Sequence, residues 1–307
     1  MKYYAISSDG SAIGYNYDTT IAPGQAYTYK YYVDTKNIGV ANLADYGNLR
    51  TNRHHGAWGG LVVEPKGATY LNPKDLTALS AGEQAVIKYP EGTATRSYRE
   101  FMVDVQDGLN LFNKNGIQIP DLAHPDAPGA AVDFEDMGEK GVNYRSESFL
   151  NRLTPGTDSA DVFSSTVFGD PATPVFRSYP NDPAYVRVLN SQDLPRVHTF
   201  GITGHSWKYE FNDPNTNIIN GQGGLDTGRA FNAGICAGSN TPLSFGTSGL
   251  TPPCAPDGRA GDYLYHDRNF FLPPTVSWGL IRPPRTPPPH PPPLPFGARQ
   301  RAPDMSA

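Results

Sequence analysis

The run Val197-His198-Thr199-Phe200-Gly201-Ile202-Thr203-Gly204-His205-Ser206-Trp207 constrains the fold more than any other stretch. It reads as a strand. Bulky β-favouring residues surround it, with Gly169-Asp170-Pro171 as turn punctuation before it and Asn212-Asp213-Pro214 after it. Its two histidines, seven positions apart, offer imidazole nitrogens as metal ligands. The competing reading of each is a structural residue satisfied by ordinary hydrogen bonds.

Around that run the chain is rich in residues that break regular structure, with 32 Gly and 30 Pro among 307 residues, and 18 Tyr that favour strands. Such a chain is globular, loop-rich and built mainly of strands, and it is long enough for one large or two ordinary domains. A net charge of −5 gives no broad electrostatic reason to expect nucleic acid or an anionic membrane as partner. No apolar run approaches bilayer length, and Met1 to Gly10 lacks the apolar core of a signal peptide. Cys236 and Cys254 lie eighteen apart in a Gly/Ser/Pro-rich region, where they either pair or remain thiols; neither belongs to a Cys-x-x-Cys or Cys/His cluster of the zinc kind.

In order, residues 1–66 read as strands, including Ala26 to Val33 after the turn Ala22-Pro23-Gly24-Gln25, and Trp58 to Pro65. Residues 67–97 read as a linker with a Pro73-Lys74-Asp75 turn and one short helix around Asp75 to Ala81. Residues 98–282 form a second block. Its expected strands are Arg99 to Gly108, Val175 to Tyr179, Ala184 to Leu189, the central run, Gly261 to Arg268 and Val276 to Ile281, with a long irregular region after the first. Both blocks close on an aromatic-Gly strand, Trp58-Gly59-Gly60-Leu61 and Trp278-Gly279-Leu280-Ile281, which is a degenerate internal repeat of two sandwich domains. The first block is short for a whole domain, so residues 1–66 are expected to be the C-terminal part of one and the chain a fragment. Residues 283–307 are Pro-rich and are expected to be disordered; a ligand for an SH3-like partner is the alternative reading.

The order and spacing of several stretches resemble the multicopper oxidases, whose cupredoxin domains are Greek-key β-sandwiches. Those stretches are Thr19 to Gln25, Gly59 to Pro65, Asn143-Tyr144-Arg145-Ser146-Glu147 and Gly169 to Pro174, and the similarity covers most of residues 15–282. The resemblance implies an all-β fold of cupredoxin-like Greek-key β-sandwich domains and copper as cofactor. It also implies further cupredoxin domains of the same protein as partners, and an extracellular or periplasmic location. The activity it implies is one-electron oxidation of a substrate coupled to dioxygen reduction.

Matched residue by residue, the resemblance puts His198 at a type 1 copper histidine, but Gly201 and Thr203 where two histidines of the three-copper cluster belong. His205 falls on a histidine that is usually not a ligand. Tyr46-Gly47-Asn48 occupies a His-x-His site, while Asp267 stands at the type 1 cysteine, Leu272 at the second type 1 histidine and Ser277 at the axial methionine. A blue-copper centre needs a thiolate beside its histidines. His198, His205 and His266 remain as candidate metal ligands, should the fold bring them together. His54 and His55 are adjacent and would point to opposite faces of a strand; His124 and His290 lie in Pro-containing loops; Asp133, Glu135 and Asp136 lack EF-hand spacing. There is no phosphate loop, no Gly-x-Ser-x-Gly elbow and no nucleophile–base pair. Two functions follow: a multicopper-oxidase-like protein lacking a complete copper site in this chain, or a non-catalytic cupredoxin scaffold or interaction module.

Overall fold

A computed structural model describes residues 3–8, 15, 20–33, 38–45, 52, 57–109, 112, 115–117, 139–147, 152–153, 155–191, 197–210, 213, 215–225, 228–243, 254, 257–267 and 277–284. The strands are β1 (Tyr3–Ser8), β2 (Lys30–Val33), β3 (Gly39–Ala44), β4 (Trp58–Val63), β5 (Thr69–Leu71), β6 (Gln84–Glu91), β7 (Ala94–Leu109), β8 (Glu139–Val142) and β9 (Val175–Arg177). They continue with β10 (Pro183–Asn190), β11 (His198–Ile202), β12 (Trp207–Lys208), β13 (Ile218–Ile219), β14 (Gly221–Leu225), β15 (Ala230–Cys236), β16 (Tyr263–Asp267) and β17 (Trp278–Arg282). A single helical turn, α1 (Ser165–Phe168), is capped by the Ser164 hydroxyl, which accepts from the Val167 N–H. The all-β class read from the sequence is the class found.

Two sheets carry the fold. The larger runs β15-β10-β7-β6-β5, with β8 paired to β7; the smaller runs β14-β11-β16-β17-β9. Pairing is antiparallel except for β10 on β7 and β17 on β9, which are parallel. β10 is central and buried along its whole length, which is why Tyr185-Val186-Arg187-Val188-Leu189 lacks an exposed polar face. Ala184, Val186 and Val188 of β10 meet Phe101, Val103 and Val105 of β7, and from the smaller sheet Phe176, Phe200, Ile202, Tyr265 and Ile281, in one apolar core. Side chains from both sheets in one cluster make a sandwich.

The stretch 67–97, expected to be a linker with a helix, is instead strand for much of its length: β5, β6 and the beginning of β7. No helix forms over 75–81, because short polar side chains there bind nearby backbone instead. Asn72 Oδ1 accepts from Lys74 N at 2.9 Å and Asp75 Oδ1 from Thr77 N at 3.0 Å, and Leu76 takes φ 59°. The backbone then returns to β5, with Leu79 N donating to the Tyr70 carbonyl. Of the strand expected over 26–33, only Lys30–Val33 forms.

Both aromatic-Gly runs are strands, β4 and β17, in different settings. Trp278 is fully buried and donates from Nε1 to the Glu147 carbonyl at 3.0 Å, whereas Trp58 is half-buried and stacks on Tyr144 with ring centroids 5.5 Å apart. Among the described residues β4 pairs only with β3, and that hairpin lies against the face of the larger sheet turned away from the apolar core. Cys236 and Cys254 form a disulfide with Cα atoms 5.5 Å apart, which closes the alternative left open by the sequence. Among the described residues no helix is long and apolar enough to cross a membrane. Tyr46, Gly47, Asn48, His54, His55, His124, Asp133, Glu135, Asp136, Leu272 and the tail from 285, His290 included, lie outside the described residues.

Candidate functional site

β11 opens with His198, which shares the inward face with Phe200, so its ring enters the space between the sheets. Opposite it β16 ends with Asp267, and Phe200 pairs with Asp267 in register. Asp267 Oδ2 contacts His198 Nδ1, while its Oδ1 accepts from Thr199 N at 2.9 Å and fixes the carboxylate. From the larger sheet comes Asp107 of β7, with Oδ2 2.8 Å from His198 Nε2. Lys140 of β8 stands 3.4 Å from the other oxygen of Asp107. The cluster thus ties β7, β8, β11 and β16 together across both sheets.

Its geometry fixes the state of the ring. A carboxylate accepts and does not donate, so a ring with one at each nitrogen carries a proton on both. Burial by itself favours neutral imidazole, but hydrogen bonds to Asp107 and Asp267, and then their charges, hold His198 up at about 10. Burial likewise opposes charge on Asp107, but the His198 hydrogen bond and charge, with Lys140, bring it below the usual carboxylate value. His198 is therefore an imidazolium, with neither nitrogen offering a lone pair to a metal.

The other two candidate histidines do not join it. His205 is buried in the turn after β11; its Nδ1 donates to the Thr203 carbonyl at 2.9 Å, and its Nε2 accepts from Gly238 N at 3.0 Å. Burial lowers its pKa, the Thr203 carbonyl opposing, and the neutral ring sews the turn to the end of β15. His266 is paired with Gly201 and precedes Asp267, so it points to the opposite face of β16 from that residue and away from His198. Among the described residues no three His, Cys, Asp or Glu side chains are grouped to hold a metal. At the other matched positions, Thr203 Oγ1 donates to the Leu264 carbonyl at 2.8 Å and Ser277 Oγ to the Gly141 carbonyl at 3.2 Å. With the chain's two cysteines joined in a disulfide, the donor set does not fit a type 1 copper centre.

No protein-family model matches the sequence, and no curated protein matches it. Solved structures do. A multicopper oxidase crystal structure aligns at 14% identity and TM-score 0.43, covering 85% of this chain and 61% of that one. The blue copper oxidase from Nitrosomonas europaea aligns at 14% and 0.43, covering 85% and 60%, and the copper nitrite reductase from Nitrosomonas europaea at 15% and 0.39, covering 85% and 67%. The chain thus spans about three-fifths of the two oxidase chains.

Asp107 and Lys140 were missed in the sequence. Asp107 sits in Asp107-Gly108, which reads as the turn ending a strand, and nothing local marks it as the partner of a histidine 91 positions on. A second ionic cluster was missed as well. Fully buried Arg187 donates from Nε to Glu100 at 2.7 Å and from Nη2 to Glu64 at 2.8 Å. Its signal was present: a lone arginine in the middle of an apolar strand is buried with its counter-charge or not at all.

Proposed function

We propose that this chain is a copper-free β-sandwich module of a multicopper-oxidase-like protein, serving as a scaffold or interaction module beside further cupredoxin domains. The observation that carries this reading is the contact of His198 with Asp267. Sequence matching assigned these two residues to a copper histidine and to the copper cysteine, and their side chains touch, as two ligands of one metal would. On this reading the pair stands where the resemblance puts a type 1 centre and replaces its chemistry. A carboxylate at the cysteine position and a second one on Nε2 turn the histidine from a metal base into a buried cation. Electron transfer to dioxygen would then belong to other domains. The Cys236–Cys254 disulfide fits an oxidising, exported location.

Copper loading of the purified full chain, read by metal content and visible absorption, tests this. The expected product is colourless and loses its copper on gel filtration. Near-stoichiometric retained copper with a thiolate-to-copper band would overturn the reading and make the chain an oxidase centre in its own right.

A further inference from the structure

The β3–β4 hairpin rests on the larger sheet through close backbone approach and polar contacts. A Cβ on Gly60 would stand 2.7 Å from Leu189 Cδ1, and one on Gly39, at φ 145°, would stand 2.4 Å from Asn232 Nδ2. Val40 N donates to Asn232 Oδ1 at 3.0 Å; Asn42 Nδ2 donates to the Asn190 carbonyl at 3.1 Å and to Ser191 Oγ at 3.3 Å. Directly after β4, Glu64 reaches Arg187. The same guanidinium holds Glu100 of β7 and donates from Nη1 to Asn232 Oδ1 at 3.0 Å, so Asn232 is bonded to the hairpin and to the cation at once.

The charges at this seat do not balance. Among the described residues Arg187 is the one cation paired with these two carboxylates, and the side chains of Arg187, Glu64 and Glu100 are 0%, 3% and 11% exposed. Glu64 Oε2 is buried with no hydrogen-bond partner among the described residues. Two carboxylates on one guanidinium leave a net negative charge out of water, and holding one proton removes it. Among the described residues, the groups facing Glu64 supply no second cation. They are Arg187 and Tyr185 from β10, Glu100 from β7, Tyr70 from β5 and Tyr89 from β6, with neutral Asn232 from β15.

We propose that seating of the β3–β4 hairpin is coupled to one proton held by the Glu64–Glu100 pair, making the hairpin a flap that closes in acid and loosens toward alkali. Burial, opposed by Arg187 and reinforced by Glu100, pushes Glu64 from 4.5 up to about 8. A carboxyl whose pKa is raised on seating binds its proton more tightly when seated. Seating is therefore strongest below 4.5, weakens as pH rises toward 8, and is flat beyond.

Hydrogen exchange of the full chain, read by mass spectrometry at several pH values from about 5 to 8 and corrected for base catalysis, tests the coupling. In the wild type, opening of β3 and β4 should rise by up to about tenfold per pH unit. Asp104 of β7, which burial pushes up to about 7, titrates in the same range and keeps its carboxyl in Glu64→Gln, so the share of the slope that Glu64→Gln removes belongs to the carboxyl pair. Glu64→Gln carries the neutral side chain at every pH and should lose most of the wild-type slope. A flat profile in the wild type, or a wild-type slope retained in Glu64→Gln, would overturn the proposal. If Glu64→Gln does not fold, the infrared C=O stretch of a protonated buried carboxyl at neutral pH in Asp104→Asn, which removes the other carboxyl that burial pushes up, decides. Its presence with the sloped exchange upholds the coupling, and its absence sinks it.

Discussion

Between the sheets, the His198 imidazolium and Lys140 stand against Asp107 and Asp267; on the outer face of the larger sheet, Arg187 alone stands against Glu64 and Glu100. Both clusters are buried and both join elements distant in sequence, but the first has two positive charges for two negative and the second one for two. A balanced cluster holds its ions as ions: His198 is kept charged up to about 10 and Asp107 stays below the usual carboxylate value. In the unbalanced cluster a carboxyl takes the missing positive charge as a proton, and Glu64 rises to about 8. Burial pushes carboxyls up in both clusters, and the charges set beside them decide whether the cluster is a fixed brace or responds to pH.

The largest effect is expected from removing the cation that has no understudy. Arg187→Met leaves Glu64 and Glu100 facing each other in the interior and should cost about 3–5 kcal/mol of folding stability, the range for breaking a buried ion pair. His198→Gln should cost less, about 2–3 kcal/mol, since Asp107 keeps Lys140 and Asp267 keeps the Thr199 N–H. Urea unfolding at neutral pH measures both. Equal losses would mean that charge balance does not distinguish the two clusters.

The clusters also separate along the pH axis. A histidine whose folded pKa is raised contributes stability that is fully present below its free value, 6.5, and is lost as pH climbs through about 10. The Glu64 contribution has the same sign but falls earlier, between 4.5 and about 8. The gap in urea midpoint between Glu64→Gln and the wild type should therefore change between 4.5 and about 8 and stay constant above that, while both proteins decline through the histidine window. A midpoint that rises through the histidine window would rule out an imidazolium at His198.

How much of this was legible in the sequence depends on whether the signal is local. The strand run at 198–202, the apolar β10 and the repeat of Trp58-Gly59 with Trp278-Gly279 are period and punctuation, which a single stretch displays. That His198 and Asp267 stand at two ligand positions of one kind of copper centre came from the resemblance, and the register of β11 on β16 that joins them came from the structure. Asp107, Lys140 and the Arg187 cluster come from pairing of β7 with β8 and β10, and no local pattern encodes which charges a parallel strand will bring together. The false helix at 75–81 failed for the opposite reason, since Asn72 and Asp75 bonded locally and outcompeted helical backbone.

Lys140→Met gives the smallest effect and the sharpest test of the comparison. It removes one positive charge from the balanced cluster without touching the His198 contacts, leaving an imidazolium against two carboxylates, the composition of the Arg187 site. The Lys140–Asp107 distance of 3.4 Å is long for a charge-assisted bond, so the direct loss should be only about 1 kcal/mol at neutral pH. The profile should change more than the magnitude. With Lys140 gone, Asp107 has less reason to stay ionised, its folded pKa rises, and the deficit should shrink as pH falls and that carboxyl takes up a proton. Urea midpoints of the variant and the wild type should therefore converge as pH falls from about 5 to about 3, through the ordinary carboxylate value. A deficit that is constant over that range would show that Lys140 contributes packing of its stem and that the charge tally of the cluster is not what keeps it ionic.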